Sequence, residues 1–326
     1  MKFADEVGPA DYKAGTVAWL IERYIAEMAS VYEKPVGPSQ SYGLRAIART
    51  FIGAKQGNAL TKKDIKDYAN MRRQQFVKNT KRHVSPTTIG QEISFLRGVL
   101  KYAEAEWDDC PGIKVKPIRK AEVSLRKHNL ISKSQPRSRR PTAEEIALLL
   151  TLAAERNKHA RTEIDFVLIT RWQIASGRRI SETCRLMWGD WNKEDHTMLV
   201  RKMKDPRTRN KDKEVALTDD AQAMLLELEQ MRTGTDPTER IFPYNCKSCS
   251  QGYADLKHKA GITGLRLHDS RRECGSRLVE EGRSSHEAIL VTGHETPNVF
   301  EKSYLKLNPK NFKNGPISKR NEQPSR

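Results

Sequence analysis

The order of apolar and polar positions divides this chain into helical stretches of regular period. Val17, Leu20, Ile21, Tyr24, Ile25 and Met28 fall at i, i+3, i+4, i+7, i+8 and i+11. That spacing predicts an amphipathic helix over 15–32. A second helix is predicted over 39–54, with Leu44, Ile47 and Phe51 inward. A third begins after Thr61, a good N-cap, and carries Ile65, Tyr68 and Met71. The fourth has the clearest signal. Ser85 caps it, Pro86 takes its first position, and Ile89, Ile93, Leu96, Leu100, Ala103 and Trp107 follow at steps of three and four. These four elements predict a helical domain over residues 1–110.

The period resumes after residue 141. Pro141-Thr142-Ala143-Glu144-Glu145 has the form of a helix start, with acids in the first turn. Ile146 to Ala154 continues it. A helix over 163–175 follows, ended by Gly177. The pattern then changes to strands at 197–202 and 214–217, a β-hairpin whose long basic tip runs from Lys204 to Lys213. Further helices are predicted at 219–231, 250–260, 268–281, 285–290 and 297–304. Ser284-Ser285-His286-Glu287 has the form of a capping box. The fold class is mainly α in two domains. An N-terminal helical bundle precedes a mostly helical domain over 141–326 with a small antiparallel sheet.

Between them, residues 111–140 contain Pro111, Gly112, Pro117 and Pro136, which break regular structure. The same stretch holds ten Lys or Arg against one acid, Glu122. It is read as a basic linker lying as a strap along a phosphate backbone, with contacts independent of base sequence. Its candidate contacts are Lys114, Lys116, Arg119, Lys120, Arg137, Arg139 and Arg140, joined by Lys81 and Arg82 ahead of the fourth helix.

Charge bears on the partner. The chain has 326 residues, with 59 Lys and Arg against 41 Asp and Glu, a net charge of +18. Such an excess points to a polyanion, double-stranded DNA first. No basic amphipathic helix suggests a membrane surface, no apolar run approaches the ~20 residues of a membrane span, and the N-terminus lacks a signal-peptide core. A cytoplasmic protein, nucleoid-associated in a bacterial host, is expected. The five cysteines, an odd number, suit a reducing compartment. Cys246-Lys247-Ser248-Cys249 has zinc-ligand spacing, but only His258 and Cys274 could complete a site, so no metal is expected. The plainer reading is a helix start near Ser248 or Ser250.

The residues that could act on a phosphodiester lie in the second half. In-line attack puts negative charge on the non-bridging oxygens, and a fixed arginine fork meets that charge best. Arg178 and Arg179 follow the helix-ending Gly177, so a side chain there projects from a tight corner. His268 and Arg271 stand three residues apart on one helix face. Gly293-His294 and Tyr304 follow. A phenol is a weak nucleophile until its proton is removed, which His268 could do. A lysine on the hairpin tip could protonate the leaving oxygen.

These residues and their order resemble the tyrosine recombinases of the phage integrase type. Ser176-Gly177-Arg178-Arg179-Ile180-Ser181-Glu182 is similar to the family's first arginine box, which selects Arg179 and adds Glu182 as a supporting acid. Met203-Lys204-Asp205-Pro206-Arg207 resembles its hairpin motif and selects Lys204 over Lys202, Lys211 and Lys213. His268-Asp269-Ser270-Arg271 and Gly293-His294 match its later boxes, and Tyr304 takes the nucleophile's place. Ser85 through Trp107 resembles the last long helix of the SAM-like core-DNA-binding bundle. There are departures. Tyr304 lies ten residues after His294 where nine is commoner, and Arg272 replaces a frequent histidine.

The resemblance implies a site-specific recombinase that cuts and rejoins duplex DNA through a 3′-phosphotyrosine, integrating and excising a mobile element. It implies a homotetramer on paired sites, helped by accessory DNA-bending proteins, with no cofactor. A type IB topoisomerase, a telomere resolvase or a catalytically silent DNA-binding regulator would be the alternatives.

Overall fold

The computed structural model describes residues 12–33, 35–77, 81–134, 137–159, 163–203 and 211–308. The chain divides into two compact units at Gln135/Pro136.

In the first unit, Thr16 caps α1 (Val17–Ser30) and Gly37 precedes α2 (Pro38–Ala48). Thr61 and Asp64 form a capping box on α3 (Lys62–Gln74). A short hairpin follows, β1 (Phe76–Val77) paired with β2 (Arg82–His83). Ser85 accepts the Thr88 N–H at 3.1 Å to start α4 (Pro86–Glu106), which packs on all the other helices of the unit. Its Ile89, Ile93, Leu96, Leu100 and Ala103 are buried with Leu20, Ile47 and Ile65 in one core.

The linker expectation fails over 116–127, where the chain forms α5 (Lys116–Lys127). Val115, Ile118, Ala121 and Leu125 make a buried stripe at steps of three and four. Pro117 does not break this helix because it occupies the first turn, where the missing N–H has no partner to lose. Arg97 donates both to Oε1 and to Oε2 of Glu122, neutralising the one acid of the stretch. Lys114, Lys116, Arg119 and Lys120 remain exposed, as do Lys81 and Arg82 at the β1–β2 turn.

In the second unit, Thr142 and Glu145 form a capping box on α6 (Ala143–Asn157). Asp165 caps α7 (Phe166–Ser176), which is buried nearly all round. A single turn, α8 (Ile180–Thr183), leads to a three-stranded antiparallel sheet of β3 (Trp191–Asn192), β4 (Thr197–Met203) and β5 (Lys211–Ala216), in that order. Thr197 pairs with Ala216 and Val200 with Lys213. The hairpin tip, with Lys204, lies outside the described residues. Then come α9 (Asp219–Met231), α10 (Cys246–Lys259), α11 (Asp269–Glu280), α12 (Ser285–Thr292) and α13 (Pro297–Ser303).

Helix α10 starts earlier than the serines suggested. Asn245 accepts the N–H groups of Lys247 and Ser248 at 2.9 and 3.2 Å, so Asn245 is the cap. Cys249 is buried against the core that holds Cys184. His258 stands nine residues further along the same helix, roughly 13 Å at the usual rise, too far to share an ion with Cys249. Cys274 is committed to α11, where its thiol donates to the Ala175 carbonyl at 3.3 Å.

Candidate active site

The site begins where α7 stops. Gly177 takes a left-handed φ of 60°, and a Cβ there would stand 3.0 Å from Cys274 Sγ, so glycine answers both the turn and the close approach. The two arginines that follow part company. Arg178 is buried, with Nη2 donating to the Val291 carbonyl and Nε to that of Ser176 at 3.4 Å. Its Nη1 has no partner among the described residues. Arg179 caps α8 and keeps its guanidinium part-exposed. Glu182 accepts the Arg179 N–H at 3.1 Å and also pairs with its side chain. Burial alone would raise the Glu182 carboxyl. The charges of Arg178, Arg271 and Arg179, with the Arg179 hydrogen bond, hold it below the usual range instead.

Helix α11 supplies the next pair. Arg271 is 1% exposed, and its Nη1 donates to the Gly177 carbonyl at 2.9 Å. Its Nε lies 3.3 Å from His294 Nε2, and its Nη2 has no partner among the described residues. Burial, then the charges of Arg178 and Arg179, push this guanidinium down to about 9. His268 precedes the helix with Nε2 3.0 Å from the Tyr304 hydroxyl. Burial, then Arg271, Arg179 and Arg272, push the imidazole down to about 4, so it is neutral at pH 7. A neutral ring with a lone pair on Nε2 can accept the phenolic proton.

His294 follows Gly293, which ends α12 at φ 72°. The Thr292 hydroxyl donates to the Ala288 carbonyl at 2.7 Å, so it must accept from His294 Nδ1 at 2.8 Å. The proton therefore sits on Nδ1, and Nε2 accepts from Arg271. Burial, then Arg271, Arg179 and Arg178, push this ring down to about 2. Tyr304 caps α13, its ring 4.1 Å from the His294 ring. The guanidinium carbons of Arg271 and Arg272 stand 5.7 and 5.4 Å from its ring centroid.

Six predicted residues, Arg179, Glu182, His268, Arg271, His294 and Tyr304, thus converge from four segments of the second unit. Arg179 and His268 line a cavity of about 380 Å³ with Lys257 and Arg266. Two charged neighbours were not singled out as functional in the sequence. Arg178 had no signal beyond the motif register, and Arg272 counted only as a departure. Lys213, set aside in favour of Lys204, donates to the His294 carbonyl at 3.2 Å.

Three arginines at the end of the expected strap are not free surface charges. Arg137 pairs with the buried Asp269 at 2.9 Å, Arg139 pairs with Glu145, and Arg140 pairs with Glu273 and Glu280 at 2.9 and 2.6 Å.

Residues 139–311, just over half of the chain, match the phage integrase family. The chain belongs to that family. The family that the sequence resembled is therefore the family of this chain. The shufflon-specific DNA recombinase of Escherichia coli is 23% identical over 286 residues, which is 86% of this chain and 67% of that protein. Two solved structures share the fold. A lambda integrase dimer bound to a COC' core site superposes with a TM-score of 0.63 at 17% identity, covering 89% of this chain and 77% of that one. The Tn1549 transposon integrase in complex with circular intermediate DNA gives 0.63 at 15%, covering 91% and 98%. No helix among the described residues of this phage integrase family member is long and apolar enough to cross a membrane.

Proposed function

We propose that this integrase cuts and rejoins duplex DNA at specific sites, with Tyr304 as nucleophile. The observation that carries the reading is the 3.0 Å contact between the Tyr304 hydroxyl and the neutral His268, set against buried Arg271. Tyr304 Oη attacks the scissile phosphorus and its proton passes to His268 Nε2. The bond from phosphorus to the 5′ oxygen breaks, leaving a 3′-phosphotyrosine. The departing oxygen takes a proton from Lys204. Arg179 and Arg271 hold the non-bridging oxygens, and the unpartnered Nη2 of Arg271 is a ready donor for one of them. Glu182 fixes the Arg179 fork. The tyrosyl ester conserves the phosphodiester's energy, so neither nucleotide nor metal is called for.

His294 supports the phosphate in a second step. Its Nε2 accepts from Arg271 in the DNA-free protein, so donation to phosphate needs a proton on Nε2. Burial and the neighbouring arginines keep the ring neutral, and a phosphate anion beside Arg271 offsets the second of these.

Strand exchange between paired sites requires four such centres, and a lambda integrase tetramer bound to a Holliday junction is among the chain's structural neighbours, 18% identical with a TM-score of 0.63. We read this chain as forming the same kind of assembly on DNA in a bacterial nucleoid, with DNA-bending proteins as helpers. Lys81, Arg82, Lys114, Lys116, Arg119 and Lys120 would track the phosphate backbone.

The test is trapping on a nicked suicide duplex carrying the site recovered by sequencing DNA joined to the protein. Wild type should form an SDS-stable adduct and Tyr304→Phe none. An equal adduct from Tyr304→Phe would remove the nucleophile assignment. A 5′-phosphorothiolate substrate, whose leaving group needs no proton, should rescue Lys204→Ala. Failure to rescue it would end the general-acid role.

A further inference from the structure

The segment after Tyr304 is tied down along α11 at every second residue. Ser276 Oγ donates to the Tyr304 carbonyl at 3.4 Å and accepts the Lys306 N–H at 2.9 Å. Glu280 accepts the Asn308 N–H at 2.6 Å. Ser276 and Glu280 are both buried and four apart, so they stand on one face of the helix. The N-terminal end of the same helix carries His268 and Arg271. One rigid element therefore places the acid–base group and also holds the chain that leaves the nucleophile.

Arg140 fastens this strap. Its Nη1 and Nη2 donate to the two Glu280 oxygens at 2.6 and 3.0 Å, and its Nε donates to Glu273 at 2.9 Å. Nη1 also donates to the Lys306 carbonyl at 2.7 Å. The guanidinium thus grips α11 and the strap together, through a bidentate fork that lysine cannot reproduce. Its side chain is 14% exposed and already holds two carboxylates, so a DNA phosphate would have to displace them.

We infer that Arg140, acting with Glu280, is a positioning residue that sets Tyr304 against His268 by holding residues 306–308 on α11. The inference rests on the proposed function and replaces the reading of Arg140 as a phosphate contact. Tyr304 is the C-cap of a helix of only seven residues, so the chain that leaves it bears on where its side chain stands.

The experiment uses the full chain and the nicked suicide duplex above, with DNA affinity, salt dependence, melting temperature and single-turnover cleavage measured together. Arg140→Gln and Asn308→Pro, which removes the N–H held by Glu280, should each slow cleavage at saturating DNA. The expected loss is roughly ten- to a hundred-fold, the scale for a nucleophile displaced by about an ångström. DNA affinity and its salt slope should not move. The double variant should be no slower than the slower single one, and Arg140→Lys should recover part of the rate. The phosphorothiolate substrate should rescue none of them, unlike Lys204→Ala. Weaker binding with a salt slope reduced by about one, and unchanged cleavage, would make Arg140 a phosphate contact and overturn the inference. So would additive losses in the double variant. If Arg140→Gln does not fold, Asn308→Pro decides alone, and full cleavage by it is equally fatal. A wild-type chain that forms no adduct would instead remove the proposed function itself.

Discussion

The two units differ in where they leave arginine. In the first, carboxylates are buried and the arginines that neutralise them reach in from the surface. Glu22, Glu92 and Glu122 are each buried, and Arg45, Arg72 and Arg97 cover them from more exposed positions. Cations with no buried acid to serve, such as Lys116 and Arg119, point outward. The second unit has such pairs too, as Arg137 with Asp269, but it also buries cations themselves. Arg178 and Arg271 are 2% and 1% exposed, and each has a nitrogen with no partner among the described residues. Burying a charge without full pairing is costly. The first arrangement gives an adaptable attraction to any polyanion. The second gives up stability to hold donors in one geometry, which suits a transition state.

The comparison can be broken at several points. The largest effect is expected at Arg271. Arg271→Met should reduce cleavage by roughly 10²–10³-fold. It should leave the melting temperature unchanged or raised, because an apolar side chain of similar length removes an incompletely paired charge. A fall in melting temperature together with cleavage would mean that Arg271 is structural cement. The next effect is on pH. Both active-site imidazoles are easier to protonate in the unfolded chain, near 6.5, than in the folded one, at about 4 for His268 and about 2 for His294. Their neutral forms are built into the fold, so stability is full above about pH 6.5 and falls as pH drops through the window below it. His268 alone accounts for on the order of 3 kcal/mol. Urea unfolding of wild type and His268→Gln at pH 7.5 and 5 checks this, since the variant should lose less on acidification. The smallest effect is in the first unit. Lys116→Ala and Arg119→Ala should each weaken DNA binding a few-fold and lower the salt slope by about one, with cleavage at saturating DNA intact. A cleavage defect there would erase the division of labour between the units.

Legibility in the sequence followed the range of the interaction. Helix ends could be read because caps are local. Thr61, Ser85, Thr142 and Ser284 each cap the helix they were expected to start. The residues that converge at the candidate site could be picked out because a motif fixes their register. Helix α5 was not legible because a proline, which breaks a helix interior, is tolerated in the first turn, and its apolar stripe of Val115, Ile118, Ala121 and Leu125 is diluted by cations. Arg137 and Arg140 were misread for another reason. Their partners Asp269, Glu273 and Glu280 lie more than 130 residues away, and nothing local distinguishes a paired arginine from a solvated one. The proton position on His294 depends on Thr292 and Ala288 together and has no sequence signal at all.

The Gly177 carbonyl takes a hydrogen bond from Arg271, and Gly177 stands two residues before Arg179. That one bond ties the Arg271 fork to the turn that carries Arg179, as in a calliper with a fixed stop, so α11 and the turn after α7 move together.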